Sequence, residues 1–258
     1  MQERRKQGFQ IKGRERTGKA GPCRPQSMKT AEWTMDHPLF RGLLEGQRKS
    51  LLEQLRFTVR NFRKNEYILM EGDEVHNIGI VLLGEIALEK EDMFGEGCFL
   101  LKLEKGEILG DMFIGENVRK SSVNYRALTD CELWMFSYRN LWESAAVRPE
   151  NQIFLENLTG LLAVKARRML AKVEILSAVS LRQRILTCLR LYGEERAAQG
   201  GDASAEYSVV LPLNKTELAE FLCVNRSALM RELKKMKDEN ILSCEGDKYT
   251  IKRSFERL

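Results

Sequence analysis

The chain has 258 residues, 43% hydrophobic and 31% charged, a composition that fits a globular protein of two domains. No stretch approaches the roughly 18–20 apolar residues that a membrane-spanning helix needs, and residues 1–27 lack the apolar segment of an export signal. The net charge of +5 is local: residues 1–27 hold eight Lys/Arg and two Glu, +6, which leaves −1 for the rest, so overall charge is no argument for nucleic acid.

The six cysteines, at 23, 98, 131, 188, 223 and 244, form no CxxC. Without an export signal the expected compartment is a reducing cytoplasm. Residues 1–27, rich in Gly, Gln, Arg and Lys, are expected to be a disordered tail. Either this tail helps hold nucleic acid non-specifically, or translation starts at Met28 and it is not part of the protein. From Trp33 to Leu55 short helices are expected, carrying Leu39, Phe40, Leu43, Leu44, Leu51, Leu52 and Leu55.

From Phe57 to Ser137 the pattern changes. Short apolar runs such as Ile78-Gly79-Ile80-Val81-Leu82-Leu83 and Cys131-Glu132-Leu133-Trp134-Met135-Phe136 alternate with turn signals every 8–12 residues. That spacing predicts a β-sandwich or barrel. Pro149 stands where a long helix can begin. Leu155, Leu158, Leu162, Met169 and Leu176 follow at spacings of three and four, with Lys165 and Lys172 in the same register. A seam of this length predicts pairing with a second copy; the alternative is a helix packed on its own sandwich. Leu181–Ala198 is a further helix, residues 199–204 a loop, and Ser208–Leu213 a short strand.

Residues 213–242 read as a helix-turn-helix. Asn214, with Glu217 three positions on, has the spacing of a capping box. Leu218, Ala219, Phe221 and Leu222 face inward, and the chain turns at Cys223-Val224. Asn225 caps a second helix with a stripe of Leu229, Leu233 and Met236. Its other face carries Arg226, Arg231, Lys234, Lys235 and Lys237 against one acid, Glu232. Two short strands, 241–244 and 249–251, around the turn 245–248 make the motif winged. A short cationic helix with an exposed N-terminal end suits a DNA major groove.

The order of β-roll, long helix and winged helix-turn-helix resembles the Crp/Fnr family of bacterial transcription regulators. The resemblance covers residues 36–258. It rests on Glu71-Gly72-Asp73, on residues 78–86, on Gly106-Glu107-Ile108-Leu109-Gly110-Asp111, on residues 126–133, and on Val224-Asn225-Arg226-Ser227 through Arg231-Glu232-Leu233. It implies an α+β chain: after the tail, a double-stranded β-helix or jelly-roll sensor like the cyclic-nucleotide-binding domain over 28–148. A dimerisation helix over 149–179 and a winged helix-turn-helix over 180–258 complete it. Carried over by position, Asn225, Arg226, Ser227 and Arg231 face bases, with Ala228 in the same turn. Arg226 and, after it, Arg231 are assigned to guanine O6 and N7. Many relatives have an acid where this chain has Ser227, which should change the half-site preference. Lys215, Thr216 and Lys234 are assigned to phosphate. The implied partners are a palindromic duplex, a second copy and RNA polymerase, though no surface can be named for the polymerase.

The sensor departs from its relatives. Cyclic-nucleotide-binding members carry Gly-Glu and, roughly ten residues later, Arg-Ser, the arginine neutralising the cyclic phosphate. Here the matching residues are Gly110-Asp111 and Ser121-Ser122, with no arginine; Met112 and Met169 complete the expected pocket. Cyclic AMP is therefore not the expected effector, and an unidentified small molecule, or none, remains. An iron–sulfur cluster lacks its clustered cysteines, only Cys23 lying near the N-terminus. Haem would need His37 or His76, both in polar turn contexts. Cys98 and Cys131 are a possible redox pair, although Cys131 sits in a core-like strand. No enzyme motif is present, neither HExxH nor GxSxG. The rival expectation is a ligand-binding module that acts on a protein partner instead of DNA.

Overall fold

Alternation along the strands sets the architecture. In the computed structural model, which describes residues 37–91, 97–113, 120–137, 148–197 and 206–252, β3 (Asn77–Leu83) pairs antiparallel with β8 (Cys131–Ser137). Ile78, Ile80, Trp134 and Phe136 point to one face; Val81, Leu133 and Met135 point to the other. Both faces are buried. With β1 (Thr58–Phe62) and β6 (Ile108–Leu109), these strands make a sheet in the order β1-β8-β3-β6.

A second four-stranded sheet, β2-β7-β4-β5, is built from β2 (Tyr67–Leu69), β4 (Ile86–Glu91), β5 (Gly97–Leu103) and β7 (Asn124–Ala127). Its Ile86, Leu88, Leu101, Leu103 and Tyr125 share a core with the first sheet's Val81, Leu133 and Met135. The outer face of the first sheet is covered by helices. Phe57, Trp134 and Phe136 stack there with Phe40 and Phe154, with ring centroids 4.3–6.5 Å apart. Each such ring contributes roughly 1.5–3 kcal/mol by burial. The helical layer is a short turn, Pro38–Phe40, then α1 (Glu45–Leu55) and α2 (Pro149–Ser177).

The long helix α2 starts with Pro149 in its first turn, as expected. Of the expected seam, Leu158 is buried within the chain, while Leu155, Leu162, Met169 and Leu176 are half-buried. Phe154, Leu158, Lys165, Lys172 and Ile175 are buried within the chain. Leu158, Lys165 and Lys172 are seven apart, and this stripe is the one that packs on the chain's own β-roll and on the next unit. The large apolar side chains left exposed are Val164, Leu170 and Val173, the latter two at 69% and 60%.

After α2 come α3 (Leu181–Ala197), β9 (Glu206–Val210), α4 (Lys215–Phe221), α5 (Arg226–Asp238), β10 (Leu242–Glu245) and β11 (Lys248–Lys252). The wing hairpin gains a third strand, because β9 pairs with β11 in the order β10-β11-β9. The core of this unit extends into the β-roll: Ala87 of β4 and Phe99 of β5 cluster with Ile175, Leu218, Phe221 and Leu222. The tail at 1–27 and the loop at 199–204 lie outside the described residues. No helix among the described residues is long and apolar enough to cross a membrane.

Candidate nucleic-acid interface and sensor pocket

The helix-turn-helix is fixed by local chemistry. Asn214 Oδ1 accepts hydrogen bonds from the Thr216 and Glu217 amides at 2.9 and 3.0 Å, and Glu217 Oε2 accepts from the Asn214 amide at 3.0 Å. This is a reciprocal capping box. Asn225 caps α5 through Oδ1, which accepts from the Ala228 amide at 2.8 Å. Its carbonyl oxygen is therefore engaged, and its amide NH2 is what remains for a base. Leu229, Leu233 and Met236 are buried, while Arg226, Ser227, Arg231, Lys234, Lys235 and Lys237 are exposed and Ala228 is half-buried. Neither Arg226 nor Arg231 pairs with another described residue.

Of the two acids of α5, Glu232 and the terminal Asp238, Glu232 is neutralised by an arginine. Arg182 of α3 donates to Glu232 at 2.7 Å and also binds Glu239. The outer surface of α5 is thus cationic. Among the expected phosphate contacts, Thr216 and Lys234 are exposed. Lys215 differs from expectation: its Nζ donates to the Gly246 carbonyl at 2.6 Å and the Tyr249 hydroxyl at 2.5 Å, and lies 4.0 Å from the Tyr249 ring centre. Burial draws its pKa below the usual lysine range. Lys215 joins α4 to the wing.

In the sensor, the expected pocket residues lie around an ion pair. Gly110 has φ +77°, and a Cβ there would meet the Asn77 carbonyl oxygen at 2.6 Å, so only glycine fits. The Asp111 side chain is fully buried and takes two hydrogen bonds from Lys165 Nζ, at 2.6 and 2.8 Å. Lys165 also donates to the Ile108 carbonyl at 2.6 Å. Burial lowers the Lys165 pKa, against the pull of Asp111. The carboxylate expected to meet an effector is thus already held by the chain's own cation. Ser121 is buried, its hydroxyl donating to the Val123 carbonyl at 2.6 Å; Ser122 is exposed. Met112 and Met169 are half-buried against the sheet core. The Tyr125 hydroxyl is buried beside Asp111, and burial first, then that carboxylate, pushes its pKa up.

Sequence reasoning placed Lys165 in the register of the long helix but missed its partner, Asp111. It also missed a cleft of about 440 Å3 between the sensor and the DNA-binding unit, lined by Leu101, Arg167, Arg168, Lys172, Tyr192 and Phe221. His37, one haem candidate, has its Nε2 against the Gly106 carbonyl at 2.6 Å, and its Nδ1 accepts from the Leu39 amide. The possible Cys98–Cys131 pair does not form, and Cys131 is a core residue as its strand pattern suggested. Cys131 is buried near the Glu85 and Thr129 carbonyls, and Cys98 instead faces Cys223.

Residues 59–146 match the cyclic nucleotide-binding domain and residues 183–255 the Crp-like helix-turn-helix domain. The chain is 21% identical to the cAMP-activated global transcriptional regulator CRP of Salmonella typhimurium, over 86% of this chain and 94% of that protein. It is 22% identical to the transcriptional activator protein FnrL of Cereibacter sphaeroides, over 83% of this chain and 84% of that protein. Among solved structures, the c-di-GMP responsive global regulator CLP of Xanthomonas campestris aligns with a TM-score of 0.62 at 20% identity, over 80% of this chain and 98% of that chain. A CooA mutant from Carboxydothermus hydrogenoformans aligns with a TM-score of 0.60 at 18% identity, over 81% and 88%.

Proposed function

From the premise that this chain belongs to the Crp/Fnr family of DNA-binding transcriptional regulators, with a cyclic-nucleotide-binding-type sensor domain, we propose that it acts as a homodimer that reads a two-fold symmetric duplex through α5. The observation that carries this reading is the exposed cationic face of α5, with Arg226 and Arg231 free of partners among the described residues. Arg226 is assigned to a guanine fork and Arg231 to a second base contact, each worth about 1–3 kcal/mol of discrimination. Ser227, Ala228 and the amide NH2 of Asn225 line the same turn. Thr216 and Lys234 are assigned to phosphate, which sets register without selecting sequence.

The dimer seam is assigned to the exposed side of α2, at Val164, Leu170 and Val173, where exposed Gly160, Ala163 and Ala166 let two helices approach. The sensor modulates DNA binding only if a ligand favours one arrangement of the two units over the other. The Salmonella relative is described as cAMP-activated. Here Ser121 stands at the position of the phosphate-binding arginine, and the nearest buried cation, Lys165, is held by Asp111. The effector is therefore assigned to a class other than cyclic AMP.

The test is fluorescence anisotropy on a promoter fragment of the protein's own gene. The double variant R226A/R231A is expected to lose binding, and wild-type affinity is expected to be unchanged by cyclic AMP. Equal binding by wild type and double variant overturns the DNA reading; tightening by cyclic AMP overturns the effector assignment.

A further inference from the structure

The sensor and the DNA-binding unit meet at two thiols. Cys98 lies in β5; Cys223 is in the turn between α4 and α5. Their sulfurs are 3.1 Å apart, although the residues are separated by 125 positions in sequence. Cys223 has φ +53°, a left-handed conformation that glycine adopts without steric cost and a cysteine does not. A strained residue held in such a position by its surroundings is a pointer to function.

A third group completes the arrangement. Lys172 of α2 is buried, and its Nζ has no hydrogen-bond partner. It lies 3.7 Å from the centre of the Phe221 ring. Burial lowers its pKa, and its charge acts on Cys98, Cys223 and Cys188. The hydrogen bond from Cys98, and then Lys172 and Arg184, draw the Cys223 thiol down to about 6 despite its partial burial. The Cys98 thiol moves the other way, raised first by its hydrogen bond to Cys223. One proton is thus lost at the pair near neutral pH, and the buried ammonium gains an anion to face. Cys188 is pushed up to about 12 by burial, and burial also raises Cys131.

We infer that Cys98 and Cys223 form a hydroperoxide-responsive dithiol that closes to an intramolecular disulfide and, by tying the helix-turn-helix to the sensor sheet, lowers DNA affinity. In the first step the Cys223 thiolate attacks one oxygen of the hydroperoxide. The O–O bond breaks, Cys223 becomes a sulfenic acid, and the leaving oxygen takes a proton to depart as alcohol or water. In the second step Cys98 attacks the Cys223 sulfur. The S–S bond forms, the S–O bond breaks, and the hydroxide leaves with the Cys98 proton as water. Two thiols give up two electrons and the peroxide O–O bond accepts them. The sulfurs have only to close from contact distance to the roughly 2.05 Å of a disulfide.

The loss of affinity follows from position, and rests on the DNA reading above. Arg226, the first residue of α5, lies three residues beyond Cys223. Duplex phosphates flanking the groove would run beside this turn. The bond would keep β5 there, together with its neighbour β4, which carries Glu89. In this docked arrangement Glu89 already faces Glu220 of α4, whose pKa is raised first by burial and then by that carboxylate. Glu89 is itself paired with Arg126, so the bond acts by holding the sheet edge where the duplex must run rather than by net charge.

The test uses full-length protein, reduced, treated with stoichiometric hydrogen peroxide, alkylated with N-ethylmaleimide and read by peptide mass spectrometry. A Cys98–Cys223 cross-linked peptide, two hydrogens lighter and reversed by dithiothreitol, is expected. Affinity for a duplex recovered from a random pool by the reduced protein is expected to fall on the order of tenfold on oxidation, the size of an ordinary allosteric coupling. C98S and C223G are expected to bind equally before and after peroxide. Peroxide treatment that leaves both thiols open to alkylation overturns the inference, as does a cross-link with unchanged or raised affinity. If the reduced protein recovers no duplex, the DNA reading and the proposed loss of affinity both fail, while the cross-link stands or falls on the mass spectrum alone.

Discussion

A buried lysine next to a buried aspartate is the residue-scale feature with the clearest energetic consequence. Removing one partner of such a pair leaves the other charge desolvated and unmatched, at about 3–5 kcal/mol. K165M is therefore expected to destabilise the sensor by that amount in urea unfolding, and replacing Asp111 with a hydrophobic residue in the same chain is expected to restore much of it. The thiols give a second residue-scale prediction. Iodoacetamide should modify Cys223 at a rate that rises through about pH 6 and levels above it, while Cys188, pushed up to about 12, stays unmodified at neutral pH. C223G is expected to raise stability, since glycine removes a left-handed strain of about 1–2 kcal/mol. The caps at Asn214 and Asn225 were legible in the sequence because capping is a local rule of residue type and spacing. The pairing of Lys165 with Asp111 was not, because a pattern of apolar positions says nothing about what sits opposite a lysine in its register.

At the scale of elements, the long helix shows where periodicity stops being informative. Its start at Pro149 and its length follow from the sequence. Which face meets which neighbour does not. The stripe through Phe154, Leu158, Lys165, Lys172 and Ile175 packs on the chain itself, two lysines included. The seam proposed for the dimer is poorer in large side chains, with Leu170 and Val173 exposed among small residues. L170E is expected to convert a dimer into a monomer in sedimentation velocity while leaving the far-UV circular dichroism unchanged; a variant that remains dimeric places the seam elsewhere. The winged helix-turn-helix was legible almost residue by residue, since caps, turn and hairpin are all short-range. The pairing of β9 with β11 adds a strand to the wing, and this register is fixed by partners some 40 residues apart.

At the scale of the whole molecule, the fold class and the order of units were legible, but the contact between the units was not. Lys102 of the sensor donates to the Pro212 carbonyl at 3.1 Å and lies 3.8 Å from Glu217, and Phe99 packs into the core of the DNA-binding unit. Each joins residues more than a hundred positions apart that no periodicity connects. The Cys98–Cys223 contact belongs to the same surface, which no reading of cysteine positions along the chain reaches. The most direct measurement of the central claim, that α5 reads a symmetric duplex from a dimer, is selection from a randomised duplex pool by the full-length reduced protein. The wild type is expected to enrich a two-fold symmetric sequence with guanine-bearing half-sites about one helical turn apart, and R226A to relax the choice at those guanines. No enrichment, or a preference indifferent to Arg226 and Arg231, would contradict it.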